Sequence, residues 1–90
     1  MTHTLPTISH NLAAHAFECV AQGHRCFAEY ELSNGTMRMT HTVVHPDLRG
    51  QGIAAALVEA ALAYAESQGL KVVPLCSYVR AYLQRHQPGA

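Results

Sequence analysis

Val44-His45-Pro46-Asp47-Leu48-Arg49-Gly50-Gln51-Gly52-Ile53-Ala54 is the stretch on which the reading of this chain turns. Its proline and its two glycines one residue apart mark a loop. Directly after it, Ile53, Leu57, Val58, Ala61, Leu62 and Ala65 recur at helical spacing until Gly69 stops the run. The spacing predicts an amphipathic helix of about four turns. Gly50 and Gly52 then lie at its first turn, where up to four amide N–H groups lack intrahelical partners and the helix dipole is positive. Arg49 adds a cation with bidentate reach, so a phosphate or pyrophosphate is the natural guest. The plainer alternative is that the glycines only make a tight strand-to-helix connection.

Upstream, Ala16 to Val20, Arg25 to Leu32 and Met37 to Val44 read as three antiparallel strands joined by turns at Gln22-Gly23 and Asn34-Gly35, the second a strong type I′ hairpin signal. Counted outward from two-residue turns, Cys19 faces Cys26, Phe17 faces Ala28, Leu32 faces Met37, Tyr30 faces Met39, and Ala28 faces His41. That register gathers Phe17, Cys19, Cys26, Ala28, Tyr30, Leu32, Met37, Met39, His41 and Val43 on one apolar face. Glu18, Arg25, Glu29, Glu31, Arg38, Thr40 and Thr42 take the other, with Phe27 the misfit. Downstream, Lys71 to Leu75 is a short apolar strand, and the right-handed crossover rule sets it parallel to the third strand. Pro74 marks where normal pairing fails. Ser77 is predicted to cap a second helix with Val79, Tyr82 and Leu83 as its apolar positions, fading at Gln87-Pro88-Gly89. The predicted class is α/β of the α+β kind, in the order β-β-β-α-β-α: an antiparallel meander with one parallel strand. Residues 1–7 read as a flexible lead-in and 8–90 as one domain.

A chain of 90 residues removes only a bit over ~60% of its unfolded surface from water, so one modest core is the ceiling. It is 49% hydrophobic and 13% charged, with six basic residues against six acidic. This is too apolar for a disordered tail and too balanced for an electrostatic partner of nucleic acid or membrane. The apolar stretches break well before the ~18 residues of a membrane span. Met1 to His10 holds no Lys or Arg and no apolar core, so the expectation is a cytoplasmic protein whose cysteines stay thiols, Cys19 and Cys26 included. No metal site is expected. His41 and His45, four apart on a strand, would stand about 13 Å from each other, too far to share one zinc.

Three phosphate-binding loops compete for the central stretch. A Walker loop needs Gly-Lys-Ser/Thr, which is absent from this sequence. The dinucleotide fingerprint matches literally from Gly50 to Ala55, but it should follow its strand at once and be answered about twenty residues on by an acid, where Leu75 and Cys76 stand instead. The third comparison is closer. Arg49, Gly52 and Ala54 resemble the acyl-CoA-binding motif Arg/Gln-x-x-Gly-x-Gly/Ala of the Gcn5-related N-acetyltransferases. His41-Thr42 before the motif and Pro74-Leu75-Cys76-Ser77-Tyr78 after it are similar to the small single-domain members, and the likeness runs from roughly Ile8 to Pro88.

This resemblance implies a truncated acyl-CoA N-acyltransferase fold and a reaction in which acetyl-CoA, the co-substrate, gives its acetyl group to an amine of a small molecule or a protein. It implies that Arg49, Gly50, Gln51, Gly52, Ile53 and Ala54 hold the pyrophosphate and that the Val44 backbone holds the pantetheine arm where two parallel strands splay. A monomer or weak dimer is expected. Acetyl transfer further requires groups to polarise the thioester and to move protons, for which Cys76, Tyr82 and His41 are the candidates. Cys76 lies at a strand end beside a helix N-terminus, which favours thiolate; a small buried apolar residue is its other reading. Tyr82 stands where the wider family often has a tyrosine that protonates the departing thiolate, and equally fits a core stripe. His41, on the apolar face in the counted register, is either a core histidine or a proton shuttle next to Cys76. Some relatives use a glutamate at the position of Val43, and no Asp or Glu lies between Glu31 and Asp47. An acyl-CoA-binding module without turnover is therefore the alternative, and a purely structural interaction domain the third.

Overall fold

A computed structural model describes residues 5–86 of the chain. Its sheet has five strands in the order β1-β2-β3-β4-β5: β1 Ser9–Asn11, β2 Ala16–Ala21, β3 His24–Ser33, β4 Thr36–Val43 and β5 Lys71–Pro74. The first three pairings are antiparallel and β4–β5 is parallel. Helix α1, Ile53–Ser67, makes the crossover between β4 and β5, and α2, Ser77–Arg85, follows β5. The predicted fade at Gln87-Pro88-Gly89 lies outside the described residues. No described helix is long and apolar enough to cross a membrane.

Both hairpins close as their turn residues dictate. Asn34 and Gly35 have φ of 50° and 74°, the pair of left-handed residues that a type I′ turn requires and that matches the twist of its strands. The closing pairs are Ala21 with His24 and Ser33 with Thr36, so Cys19 meets Cys26, Phe17 meets Ala28, Leu32 meets Met37 and Tyr30 meets Met39, as the counted register predicts.

Beyond Met39 the register departs from that count. Tyr30 pairs with Met39 but Glu29 pairs with His41, which leaves Thr40 as an extra residue on β4. This is a β-bulge, and the Thr40 hydroxyl donates to the Glu29 carbonyl at 3.3 Å across it. Ala28 now faces Thr42 instead of His41. His41 and Val43, both predicted inside, are therefore exposed, and the His41 ring stands 3.5 Å from the Glu29 carboxylate with 69% of its side chain in solvent. Leu32 keeps its pairing with Met37 yet is 38% exposed near the hairpin tip.

The fold also has a strand the apolar pattern does not reveal. β1 is Ser-His-Asn, three residues with no alternation to read. Packing holds it: the His10 ring stacks on Phe17 with centroids 4.0 Å apart, meets the edge of Tyr64 at 4.4 Å and hydrogen-bonds the Tyr30 hydroxyl.

The core lies between the sheet and the two helices. Cys26, Ala28, Met37 and Met39 of the sheet meet Ile53, Leu57, Val58, Ala61 and Ala65 of α1 and Val79 of α2, all essentially without solvent contact. Leu62, expected among them, is half-buried at the edge of the stripe. On the opposite face Arg25 reaches Glu18 at 2.6 Å and Arg38 reaches Glu31 at 3.5 Å. The misfit Phe27 is tolerated there because the Arg25 guanidinium lies over its ring, 4.3 Å from the centroid.

Pro74 ends the parallel ladder. It pairs with Met39, and the next two amides, Leu75 and Cys76, both donate to the single Met39 carbonyl at 3.0 Å. The chain then turns away, so β4 continues through Thr40 to Val43 without β5 alongside. Cys76, not Ser77, is the N-cap of α2; Ser77 is the first helical residue.

Candidate active site

The parting of β4 and β5 opens a cleft of about 630 Å³. Thr42, Val43 and Val44 form one wall, Leu48 to Gly50 with Gly52 the loop side, Ile53, Ala54 and Ala55 the start of α1, and Tyr78 of α2 the remaining side. Local forces hold the loop in place. A short 3-10 helix, Pro46–Leu48, begins at His45, whose Nδ1 accepts from the Asp47 amide at 3.1 Å, and fully buried Leu48 anchors it to the core.

Gly50 and Gly52 both have φ of 82°, left-handed backbone that disfavours a side chain. Gly52 is the N-cap of α1, with no side-chain cap bond, and its carbonyl accepts the first intrahelical bond from Ala56. The amides of Ile53, Ala54 and Ala55 consequently lack intrahelical partners, and all three residues line the cleft. A Cβ built on Gly52 would meet only Leu5, at 3.9 Å. The strain of a substitution there comes from the backbone angle and not from crowding.

Of the residues that the sequence nominates for the coenzyme, Val44, Arg49, Gly50, Gly52, Ile53 and Ala54 line this one cleft, whereas Gln51 does not. The three candidate chemical groups separate. Cys76 is half-buried and its sulfur lies 3.7 Å from the Thr42 hydroxyl, which itself lines the cleft. Burial alone would push the thiol up, but the Val79 and Tyr78 amides at the start of α2 and the Thr42 hydroxyl outweigh it and hold the thiol below its ordinary range. The amides make no complete cap bond to the sulfur, so they act on it as oriented dipoles.

Tyr82 is in the core, away from the cleft lining. Its hydroxyl donates to Glu59 at 2.8 Å, its ring stacks on His86 at 4.0 Å, and burial first, then the Glu59 bond, raises its phenol. The tyrosine that borders the cleft is Tyr78, one turn earlier. Burial keeps the Tyr78 phenol protonated to higher pH than usual, with Glu59 adding to the effect and Arg85 opposing it. His41, predicted beside Cys76, faces outward to Glu29 because of the bulge.

Thr42 is the lining residue that sequence reasoning misplaced, since it was assigned to the outer face. Periodicity gives no sign of a bulge; the observed register and the Thr42 contact with Cys76 reveal the reversal. The histidine count concealed a second juxtaposition: His24, at the start of β3, stacks on His45, with Asp47 alongside.

A family model described as GCN5-related N-acetyl-transferase matches residues 16–89, more than four-fifths of the chain.

Proposed function

Because the chain belongs to the GCN5-related N-acetyltransferase family, we propose that it transfers an acetyl group from acetyl-CoA to a primary amine at the parting of β4 and β5. The observation that carries this reading is the juxtaposition of two features: a left-handed glycine loop presenting free helix amides to the cleft, and a thiol held below its ordinary range in contact with Thr42, which lines that cleft. The loop amides and Arg49 suit a pyrophosphate. The unpaired edge of β4 from Thr40 to Val43 suits an amide-bearing arm, which would add to the sheet as a strand does.

In this reading the acceptor nitrogen attacks the thioester carbonyl carbon, the C–S bond breaks, and coenzyme A leaves as thiolate. Cys76, with its lowered thiol pKa, takes the proton that the nitrogen sheds, and the Tyr78 hydroxyl, kept protonated by burial, gives its proton to the departing sulfur. Solvent then returns Cys76 and Tyr78 to their starting states. A cytoplasmic setting suits the three free cysteines.

One observation favours the reading of a binding module without turnover: none of the lining residues is a carboxylate. The two readings part in a transfer assay with a panel of amines alongside calorimetric titration of acetyl-CoA. Binding with transfer supports the enzyme, binding alone supports the module, and a flat titration rejects both. Gly52→Asp is the control. It places a β-carbon at φ of 82° and a negative charge where the dipole favours an anion. It should abolish binding while leaving the fold intact by circular dichroism, and parent-like binding would reject the loop assignment.

A further inference from the structure

His24, His45 and Asp47 come from two segments that the sequence keeps apart, the tip of the β2–β3 hairpin and the start of the loop leading into α1. Each offers one ligand atom, and the three atoms lie within 4.8 Å of one another. We infer that they form a binding site for a divalent transition metal ion, with a ring nitrogen of His24, Nδ1 of His45 and a carboxylate oxygen of Asp47 as ligands and water completing the shell.

Three features support this. Nδ1 of His45 accepts a hydrogen bond from the Asp47 amide, so it carries a lone pair, the state a metal ligand needs. The same nitrogen lies 3.8 Å from the Asp47 carboxylate, which sets two electron-rich atoms facing each other at a spacing one ion with ~2.1 Å bonds bridges after a small closure. Two imidazoles and one carboxylate are a donor set that suits zinc, nickel or copper and not magnesium or calcium.

The two rings are stacked, with centroids 3.7 Å apart and planes within 19°. Ring lone pairs lie in the ring plane, so parallel rings do not aim at one point, and the ion requires His24 to swing out of the stack. Among the described residues the His24 side chain makes no hydrogen bond that would resist this swing. At His45 the ion displaces only the exposed Asp47 amide, which water then satisfies. None of the three residues lines the cleft, so a bound ion ties the hairpin to the loop and touches none of the groups assigned to acetyl transfer. This inference is independent of the proposed reaction.

The test is calorimetric titration of zinc into the full chain, carrying no added histidines, in a non-chelating buffer near neutral pH. Saturable one-to-one binding is expected, with a rise in thermal midpoint that a chelator reverses. His24→Ala should weaken zinc at least about tenfold while keeping the parent's circular dichroism, and Asp47→Asn should also weaken it. His41→Ala and His86→Ala should bind as the parent does. The site is overturned if the parent shows no saturation, or if His24→Ala retains parental affinity.

Discussion

Three cysteines of one chain meet two environments, and position alone separates them. Cys19 and Cys26 face each other inside the sheet, both 5% exposed or less, and burial pushes the Cys19 thiol up. Cys76 is half-buried at a helix start that lowers its thiol. A thiol-directed alkylating reagent should therefore label Cys76 first, with a pH midpoint lower than that of an ordinary cysteine, and acetyl-CoA should protect it; peptide mass spectrometry reads both. Cys76→Ala should leave acetyl-CoA affinity nearly unchanged and remove most transfer, the pattern of an interaction made in the transition state. Parental turnover in that variant would assign Cys76 to packing. The tyrosines divide in the same way. Tyr82→Phe removes the bond to exposed Glu59 and should cost about 1 kcal/mol of stability with coenzyme binding intact. Tyr78→Phe should keep stability and lower turnover, and denaturant melts beside transfer rates distinguish the two.

At the scale of elements, β4 determines the site twice. Pro74 stops its partner at Met39, and the extra residue Thr40 bends the strand where it becomes unpaired. Because a bulge residue is supernumerary, deleting Thr40 should not reverse the faces: Met39 still points in, His41 out and Thr42 in. The strand should instead straighten. The expected outcome is a folded protein by circular dichroism whose acetyl-CoA affinity falls about tenfold, the equivalent of one well-placed hydrogen bond. Parental affinity would show that the bend does not shape the cleft. The loop before α1 depends on its anchors in a comparable way, since Leu48 buries and His45 caps what Arg49 to Gly52 then present.

At the scale of the molecule, the edge strand β1 is joined to the rest by its ladder with β2 and by His10, packed among Phe17, Tyr30 and Tyr64. Burial, with His15 nearby, lowers the His10 pKa below 6.5, so the folded state holds it neutral. The unfolded chain takes up that proton at an ordinary histidine value near 6.5. Stability should therefore be full above about pH 7 and decline as pH falls through about 6.5, because protons then favour the unfolded chain. Thermal midpoints of parent and His10→Gln across that range test this, and an equal slope in both would remove His10 as the cause. Legible in the sequence were the features whose signals act between near neighbours: the two turns, the meander register as far as Met39, the stripe of α1, the glycine loop and the break at Pro74. Turn chemistry and periodicity are local, and here nothing tertiary opposes them. Only the packed molecule decided the bulge, the three residues of β1, Tyr78 in place of Tyr82 at the cleft, and the meeting of His24 with His45. Each depends on which side of one element another element meets, and a single-residue offset in a ladder, or the ~100° between successive helix positions, settles that without leaving a mark on composition or spacing.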